Sequence, residues 1–382
     1  MRALIAFDKF KDALTAPDAC EIARDVLRNT HSDWTLDLCP LADGGEGFAT
    51  ILTAATEGIW HPVTATGPRG TACQSGFGLV KYERLPAAAK TRLELGAVDA
   101  VAIVEMASAS GIESLTAEER DPWKTDSRGT GEVIRAAIEA GADAILLGVG
   151  GSATNDVGVG ALTALGWKPV DADGNILSEY APGSWDKLAG FKASSEDLPP
   201  IRIACDVSNP LLGERGATSV FGPQKGLQPE DRDSLEAEVA RIAGLLGAAA
   251  QNPGGESTPG AGAAGGIAFG FLTVAGAKLV SGFDLVEEWL GIEPKLAAAD
   301  LIITGEGCFD DSSLEGKGPG SLVQRAQALG KPAKVFAGAV RLSRAPESAD
   351  VFAITPDGTD LPTALRKAGD NLAAKLRAVF TE

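Results

Sequence analysis

Apolar runs, glycine-bearing polar loops and amphipathic stretches alternate along the first part of the chain. Ala3-Leu4-Ile5-Ala6 predicts a short strand, and the charged stretch Asp8-Lys9-Phe10-Lys11-Asp12 predicts a loop. Thr15 is a good helix N-cap with Asp18 in the capping-box position, and Ile22, Val26 and Leu27 follow at helical spacing. A second strand, Thr35 to Cys39, runs into Pro40-Leu41-Ala42-Asp43-Gly44-Gly45-Glu46-Gly47 and then a helix through residues 48–56. The same order returns near the other end. Asp300 to Thr304 predicts a strand, residues 305–320 a polar glycine loop, and residues 321–329 a helix. Strands are predicted over 334–340 and 351–355, with a last amphipathic helix from about Thr363 to Phe380. Strand, loop and helix in this succession build a doubly wound sheet.

The middle has another texture, with strand-like alternation from Ala72 to Val80 and an alanine–glycine run over residues 259–270. Residues from about 60 to 285 therefore predict a domain inserted between two halves of a nucleotide-sheet-like domain. A length of 382 residues allows two or three domains.

Composition narrows the chemistry. With 34 basic and 52 acidic side chains the net charge is −18. Such a surface disfavours nucleic acid and anionic lipid as partners. An anionic substrate then needs local cations or a bound metal. The five cysteines are odd in number and contain no C-x-x-C pair, which predicts reduced thiols and a cytoplasmic protein. The first apolar run is short and ends at Asp8, unlike a signal peptide, and no stretch approaches a membrane span. His31 and His61 are the only histidines and neither has a chemical context, so a Ser-His-Asp triad or histidine metal site is disfavoured. Carboxylates, lysines and arginines are left to carry any catalysis.

After the apolar run Ala144 to Leu147, residues 148–153 fit the G-x-G-x-x-G/A dinucleotide fingerprint. That reading needs a helix at once and an acid ending the next strand. The chain instead continues through Thr154-Asn155-Asp156-Val157-Gly158-Val159-Gly160; Asp171 and Asp173 sit in a turn-like VDADGN, and Pro169 spoils the preceding strand. The loop is read as an anion- or substrate-binding loop, with tight glycine packing as the alternative. No Walker A motif and no protein-kinase signature occurs. Two acid-bearing glycine loops, at Asp43–Gly47 and at Gly305–Gly307 with Asp310 and Asp311, follow predicted strands. Glycines let backbone N–H groups approach phosphate, and the carboxylates can hold Mg²⁺. Lys9, Lys11, Arg128 and Lys317 are the nearby cations, Thr130 is read as capping a helix, and Asp206 and Asn209 share a loop after the strand at 201–205.

Taken together, FDKFKDALTA, PLADGGEGF, EMASASGI, DSRGTGEVI, GVGGSATNDVGVGALTALG, CDVSNPLLGERGATSVFGPQKG, PGAGAAGGIAFGF, SGFDLV and TGEGCFDDSSLEGKGPG resemble the type I glycerate kinase family along nearly the whole chain. The resemblance implies an α/β fold of two domains. A flavodoxin-like doubly wound domain is built from 1–60 and 285–382, a second α/β domain from 61–284 is inserted, and the active site lies in the cleft. It implies ATP- and Mg²⁺-dependent phosphorylation of D-glycerate to 2-phosphoglycerate by a monomer or homodimer. The alternatives are a kinase of another small hydroxy acid and a non-catalytic metabolite-binding relative.

Charge and loop position suggest the roles. Lys11 and Lys317 are assigned to anionic oxygens, Arg128 to the glycerate carboxylate or the transferring phosphoryl, and Asp43 or Asp206 to the acceptor hydroxyl. Gly44, Gly45, Gly305 and Gly307 are assigned to nucleotide or phosphate, and Asp8, Ser127, Asn155 and Asn209 to substrate. Glu306 and Asp310 are assigned to Mg²⁺, directly or through water. The chain departs from the family pattern at Phe7, Lys9, Asp12 and Ala13, which replace Pro, Ser, Gly and Ser, and at Cys308, which replaces an arginine. A lost guanidinium fork can move a phosphate contact or alter the acceptor.

Overall fold

The computed structural model of the chain describes every residue except Asp43, Gly316, Lys317, Ala345, Glu347, Ser348 and Glu382, and the side chain of Glu315. The chain divides into two compact units, Met1–Asp43 with Val286–Glu382, and Gly44–Leu285.

The unit made from the chain ends carries a five-stranded parallel sheet. Its strands are Arg2–Phe7, Thr35–Leu38, Leu301–Gly305, Ala333–Ala337 and Ala349–Ala353. Taken in chain order they lie 2-1-3-4-5 across the sheet, the order of a flavodoxin-like doubly wound sheet. Ile5, Phe7, Ile303 and Phe336 pack in one cluster with the helices Ala16–Thr30 and Ala368–Thr381. Thr15 caps the first of these: its hydroxyl oxygen accepts from the Asp18 N–H at 3.2 Å. The helix Gly318–Ala328 packs on the strands Leu301–Gly305 and Ala333–Ala337. Helices on both sides explain why Leu4, Ile5, Ala6 and Phe7 are all buried, where a sheet open on one face would alternate.

The second unit holds a six-stranded mixed sheet of Ile59–Thr66, Ala72–Lys81, Ala100–Glu105, Ala144–Gly148, Ile201–Ala204 and Lys278–Val280, side by side in chain order. The first two form a hairpin, the second pairs antiparallel with the third, and the other pairings are parallel.

Five details differ from the sequence expectation. The first boundary falls at residue 43, earlier than 60, because the helix Phe48–Ala55 packs on the six-stranded sheet. The Ala49 N–H donates to the Glu105 carboxylate at 2.8 Å. Thr130 lies inside the helix Arg128–Glu139 and does not cap it; its hydroxyl donates to Ser110 Oγ at 2.8 Å. Pro169 sits within a strand after all, Lys168–Val170, but in a two-stranded ribbon outside the main sheets, where a missing N–H costs little. The last helix is broken at Lys367 into Leu361–Arg366 and Ala368–Thr381.

The expected strand over 334–340 is also two. Gly338 separates Ala333–Ala337 from Ala339–Arg341, and the latter pairs in parallel with Cys308–Asp310. A Cβ at Gly338 would lie 2.5 Å from the Gly307 carbonyl oxygen, so only glycine lets the chain pass here.

Candidate active site

In open α/β sheets ligands bind beyond the carboxyl ends of the strands, where the strand order reverses. In the chain-end unit that point lies between Arg2–Phe7 and Leu301–Gly305, which are parallel neighbours. A cavity of about 890 Å³ occupies it. Of the residues expected from sequence, the structure brings Asp8, Lys11, Glu306 and Gly307 onto its wall, together with Lys9, Asp12, Cys308 and Arg341.

Each arrives there for a local reason. Asp8 follows the first strand, its N–H donating to the Gly305 carbonyl at 2.9 Å. Lys11 and Asp12 lie on the turn between Phe10 and Leu14, two residues joined by a bridge. Asp12 has φ 59°, the left-handed region that favours glycine and that Asp tolerates better than most. Gly307 leaves room for this turn, since a Cβ there would stand 3.1 Å from the Lys11 nitrogen. Arg341 reaches the cavity through the Gly338 crossing and the ribbon, where it pairs with Asp310 in register.

The wall carries Lys9, Lys11 and Arg341 beside the acids Asp8, Asp12, Glu306 and Asp357. Among the described residues Lys11 and Arg341 take part in no ion pair, whereas Arg2, Arg24, Arg84, Arg135, Arg241 and Arg325 all meet carboxylates. Glu306 is half-buried and its Oε1 is a buried oxygen without a hydrogen-bond partner among the described residues. Burial pushes its carboxyl up to about 7, with the charges of Asp8 and Asp310 adding and a hydrogen bond from Ser313 opposing.

The other expected site residues that the structure describes meet protein groups. Gly305 is not on the cavity wall; its missing side chain admits the Phe336 carbonyl, 1.8 Å from where a Cβ would stand. Asp310 accepts from the Ser312 hydroxyl at 2.6 Å and the Ser312 N–H at 2.9 Å, which holds its carboxyl below the usual range. Asp43 and Lys317 lie outside the described residues.

In the other unit, Gly44 and Gly45 pack against the loop that opens at Gly148. The Gly150 N–H donates to the Gly44 carbonyl at 3.0 Å, and a Cβ on Gly150 would meet Gly45 Cα at 2.7 Å. Arg128, half exposed, pairs with Glu132 at 2.8 Å and lies over the Tyr180 ring. Asp206 accepts from the Phe283 N–H at 3.0 Å and the Ser281 hydroxyl at 3.1 Å, at the start of the helix Gly282–Leu290. Asn209 Nδ2 donates to the Arg215 carbonyl at 2.7 Å.

Ser127 and Asn155 belong to a buried polar network. Asp156 Oδ2 accepts from the Ser127 hydroxyl at 2.7 Å, the Ser127 N–H at 2.9 Å and the Gly160 N–H at 3.0 Å. Burial pushes the Asp156 carboxyl up against these donors. Asp126 beside it is pushed up to about 6 by burial and by the charge of Asp156. Lys225, 1% exposed, donates from Nζ to Ser152 Oγ at 2.9 Å and to the Thr154 carbonyl at 2.6 Å. Its burial lowers the ammonium to about 7, with Asp156 opposing. Asn155 Nδ2 reaches Thr218 Oγ1 at 3.1 Å, while its Oδ1 is buried without a partner among the described residues.

Lys225, Asp156, Asp126 and Arg341 were not singled out from the sequence. Lys225 and Asp156 lie in two of the motifs quoted above, so a signal existed for them. Arg341 had none, because its place depends on a ribbon register between segments thirty residues apart.

A strand-end cavity lined by Lys11, Arg341 and a half-buried carboxylate is the equipment of an enzyme that handles a small anionic ligand. Residues 3–382 match the model of the glycerate kinase family. The chain is 36% identical to the glycerate 2-kinase of Escherichia coli K12 and to the glycerate kinase of Bacillus subtilis 168, in each case over 99% of this chain and 97% of the relative. It superposes with a TM-score of 0.76 and 36% identity on a crystal structure described as glycerate kinase 2 from Salmonella typhimurium LT2, covering 100% of this chain and 97% of that one. The chain belongs to the glycerate kinase family, and it is a kinase.

No helix among the described residues is long and apolar enough to cross a membrane.

Proposed function

We propose that the protein transfers the γ-phosphoryl group of ATP, with Mg²⁺, to the 2-hydroxyl of D-glycerate, giving 2-phosphoglycerate in the cytoplasm. The observation that carries this reading is the gathering of Lys11, Asp8, Glu306 and Gly307 around one cavity at the sheet's switch point. Phosphoryl transfer asks for positioning and charge neutralisation more than for covalent chemistry by the protein. Lys11 supplies positive charge to phosphate oxygens that the chain's net charge of −18 otherwise repels.

The donor set suits a nucleotide-borne Mg²⁺, which takes one or two protein carboxylates and keeps its other positions for phosphate and water. Among the described residues no group of three or more His, Cys, Asp or Glu is arranged to hold a metal on its own. Glu306, with an unsatisfied buried oxygen and Asp8 alongside, is the ligand we assign; Asp310 is occupied by Ser312 and acts only through water. Bound there, the ion offsets charge on the transferring phosphoryl. With Asp206 engaged at a helix start, the acceptor-hydroxyl role falls to Asp43.

A coupled ADP-release assay with D-glycerate and a panel of small hydroxy acids tests the reading, with ³¹P NMR of the product. Turnover highest with D-glycerate and a 2-phosphoglycerate resonance is expected. ADP release no faster with D-glycerate than without it refutes the reading. Preference for another hydroxy acid moves the acceptor, a result to which Cys308 on the cavity wall lends interest.

A further inference from the structure

We propose that Lys225 is a positioning residue for the acceptor side of the reaction. Its buried ammonium fixes residues 148–156, and through them the glycine loop 44–47 that directly follows Asp43. The acceptor role of Asp43 rests on the function proposed above. The linkage from Lys225 to Gly44 rests on three observations of its own.

The first is the reach of the ammonium. Lys225 ends the short turn Pro223–Lys225, and Gly226 after it has φ 91°. A Cβ on Gly226 would run into the Arg120 carbonyl, so the turn lies against that segment only because glycine follows the lysine. From there Nζ donates to Ser152 Oγ at 2.9 Å and to the Thr154 carbonyl at 2.6 Å. Two anchors on one loop, met by one nitrogen, fix both its position and its direction. An ammonium carries three N–H bonds, so one can be lost and both acceptors stay served. The second is the cost of the shape that is held. Val157 is fully buried with φ 57°, a left-handed conformation that a β-branched residue adopts only under constraint. Its N–H donates to the Gly265 carbonyl at 3.0 Å, while Asp156 Oδ2 gathers the Ser127 hydroxyl and N–H and the Gly160 N–H. Such strain persists where the surroundings over-determine it, and it clusters at working sites. The third is what the loop touches at its other end. The Gly150 N–H donates to the Gly44 carbonyl at 3.0 Å. A Cβ on Gly150 would meet Gly45 Cα at 2.7 Å, and one on Gly151 would meet the Glu46 carboxylate. The Phe48 N–H donates to the Gly45 carbonyl at 3.1 Å, where the helix Phe48–Ala55 begins. Packing this close leaves no slack between Ser152 and residues 44–46, so a shift at one end passes to the other.

Crystal structures and steady-state kinetics of the full chain carrying Lys225→Met test this, the kinetics being run below the melting temperature of each protein. Residues 44–46 are expected to move by about 1 Å, a displacement large enough to reach the chemistry. The ratio of glycerate-dependent to glycerate-independent ADP release is expected to fall about tenfold or more, with KM for ATP within about twofold of wild type. A merely structural lysine changes the number of folded molecules and leaves that ratio where it was. Ser152→Ala, which keeps the lysine, should move both readings the same way by a smaller factor, and it carries the test if Lys225→Met does not fold. The double variant should be no worse than Lys225→Met, because both substitutions cut one link. Residues 44–46 in their wild-type place overturn the proposal. So does an unchanged ADP-release ratio when the wild type turns over glycerate. A displaced loop in the variant, with no glycerate-dependent ADP release by the wild type, upholds the linkage and sinks only the acceptor reading.

Discussion

Two loops of this chain share one sequence grammar, an apolar parallel strand running into glycine and polar residues, and reach different ends. After Leu301–Gly305 the chain opens onto a cavity, and Glu306 keeps an oxygen without a partner among the described residues. After Ala144–Gly148 the space is filled by the protein itself. A Cβ on Gly148 would stand 2.7 Å from the Gly44 carbonyl, Gly150 lies against Gly45, and the Lys225 ammonium ties Ser152 to Thr154. A glycine after a strand announces close approach. Whether a ligand or another stretch of backbone makes the approach is decided by a segment about a hundred residues away. The first loop is built to receive, and the second is held rigid by internal hydrogen bonds.

The strongest way to break this contrast is to remove Lys225. Lys225→Ala deletes two hydrogen bonds from a buried charge and leaves Ser152 and the Thr154 carbonyl unpaired, so a loss of about 3–5 kcal/mol in unfolding free energy is expected. Chemical denaturation measures it, and a loss below about 1 kcal/mol would show that the network is not what holds the loop.

The pH dependence of stability sharpens the same point. Lys225 titrates near 7 when folded and near its ordinary 10.5 when unfolded, so between these values the unfolded chain binds more protons. Stability then rises with pH from about 7 to about 10, by an amount on the order of a few kcal/mol. Asp126 acts in the other sense. Its folded value of about 6 exceeds the ordinary 3.8, so its contribution falls as pH rises through that window. Denaturation midpoints across pH should show the upper limb in the wild type and lack it in Lys225→Met. An upper limb that survives that substitution assigns it to another group.

On the receiving side, Glu306→Gln should weaken Mg²⁺ activation about tenfold or more without lowering stability, since it removes a desolvated carboxylate with an unpaired oxygen. Mg²⁺ titration of the ADP-release rate gives the first quantity and thermal unfolding the second. An unchanged Mg²⁺ response would take the ion away from Glu306. The smallest effect is expected at Asp12. Asp12→Gly relieves a left-handed backbone and should add about 0.5 kcal/mol, and a loss of stability would mean that the Asp12 side chain holds the turn.

The sequence carried the local grammar well. Thr15 and Asp18 start a helix where expected, and the parallel sheet of the chain ends follows from its apolar runs. Asp8, Lys11, Glu306 and Gly307 could be read as neighbours because each follows the end of one of two strands that the doubly wound rule places side by side. Other assignments could not be separated by residue type. Arg128 faces Glu132, Asp206 faces the Phe283 N–H, and Gly305 faces the Phe336 carbonyl, yet a charge or a glycine looks the same whether its partner is protein or ligand. Arg341 was illegible, and the motif that holds Lys225 did not show its role, for a stronger reason. One depends on the register of a short ribbon and the other on burial beside Ser152, 73 residues away.

Lys11→Ala, assayed for glycerate-dependent ADP release beside its thermal unfolding, tests the central claim most directly. The cavity account predicts turnover reduced about 100-fold or more, because a cation that meets the transferring charge is lost. It predicts a melting temperature within about 2 °C of wild type, because Lys11 is exposed and supports no core. Equal and modest losses in both would contradict it and return Lys11 to the surface charge of an acidic protein.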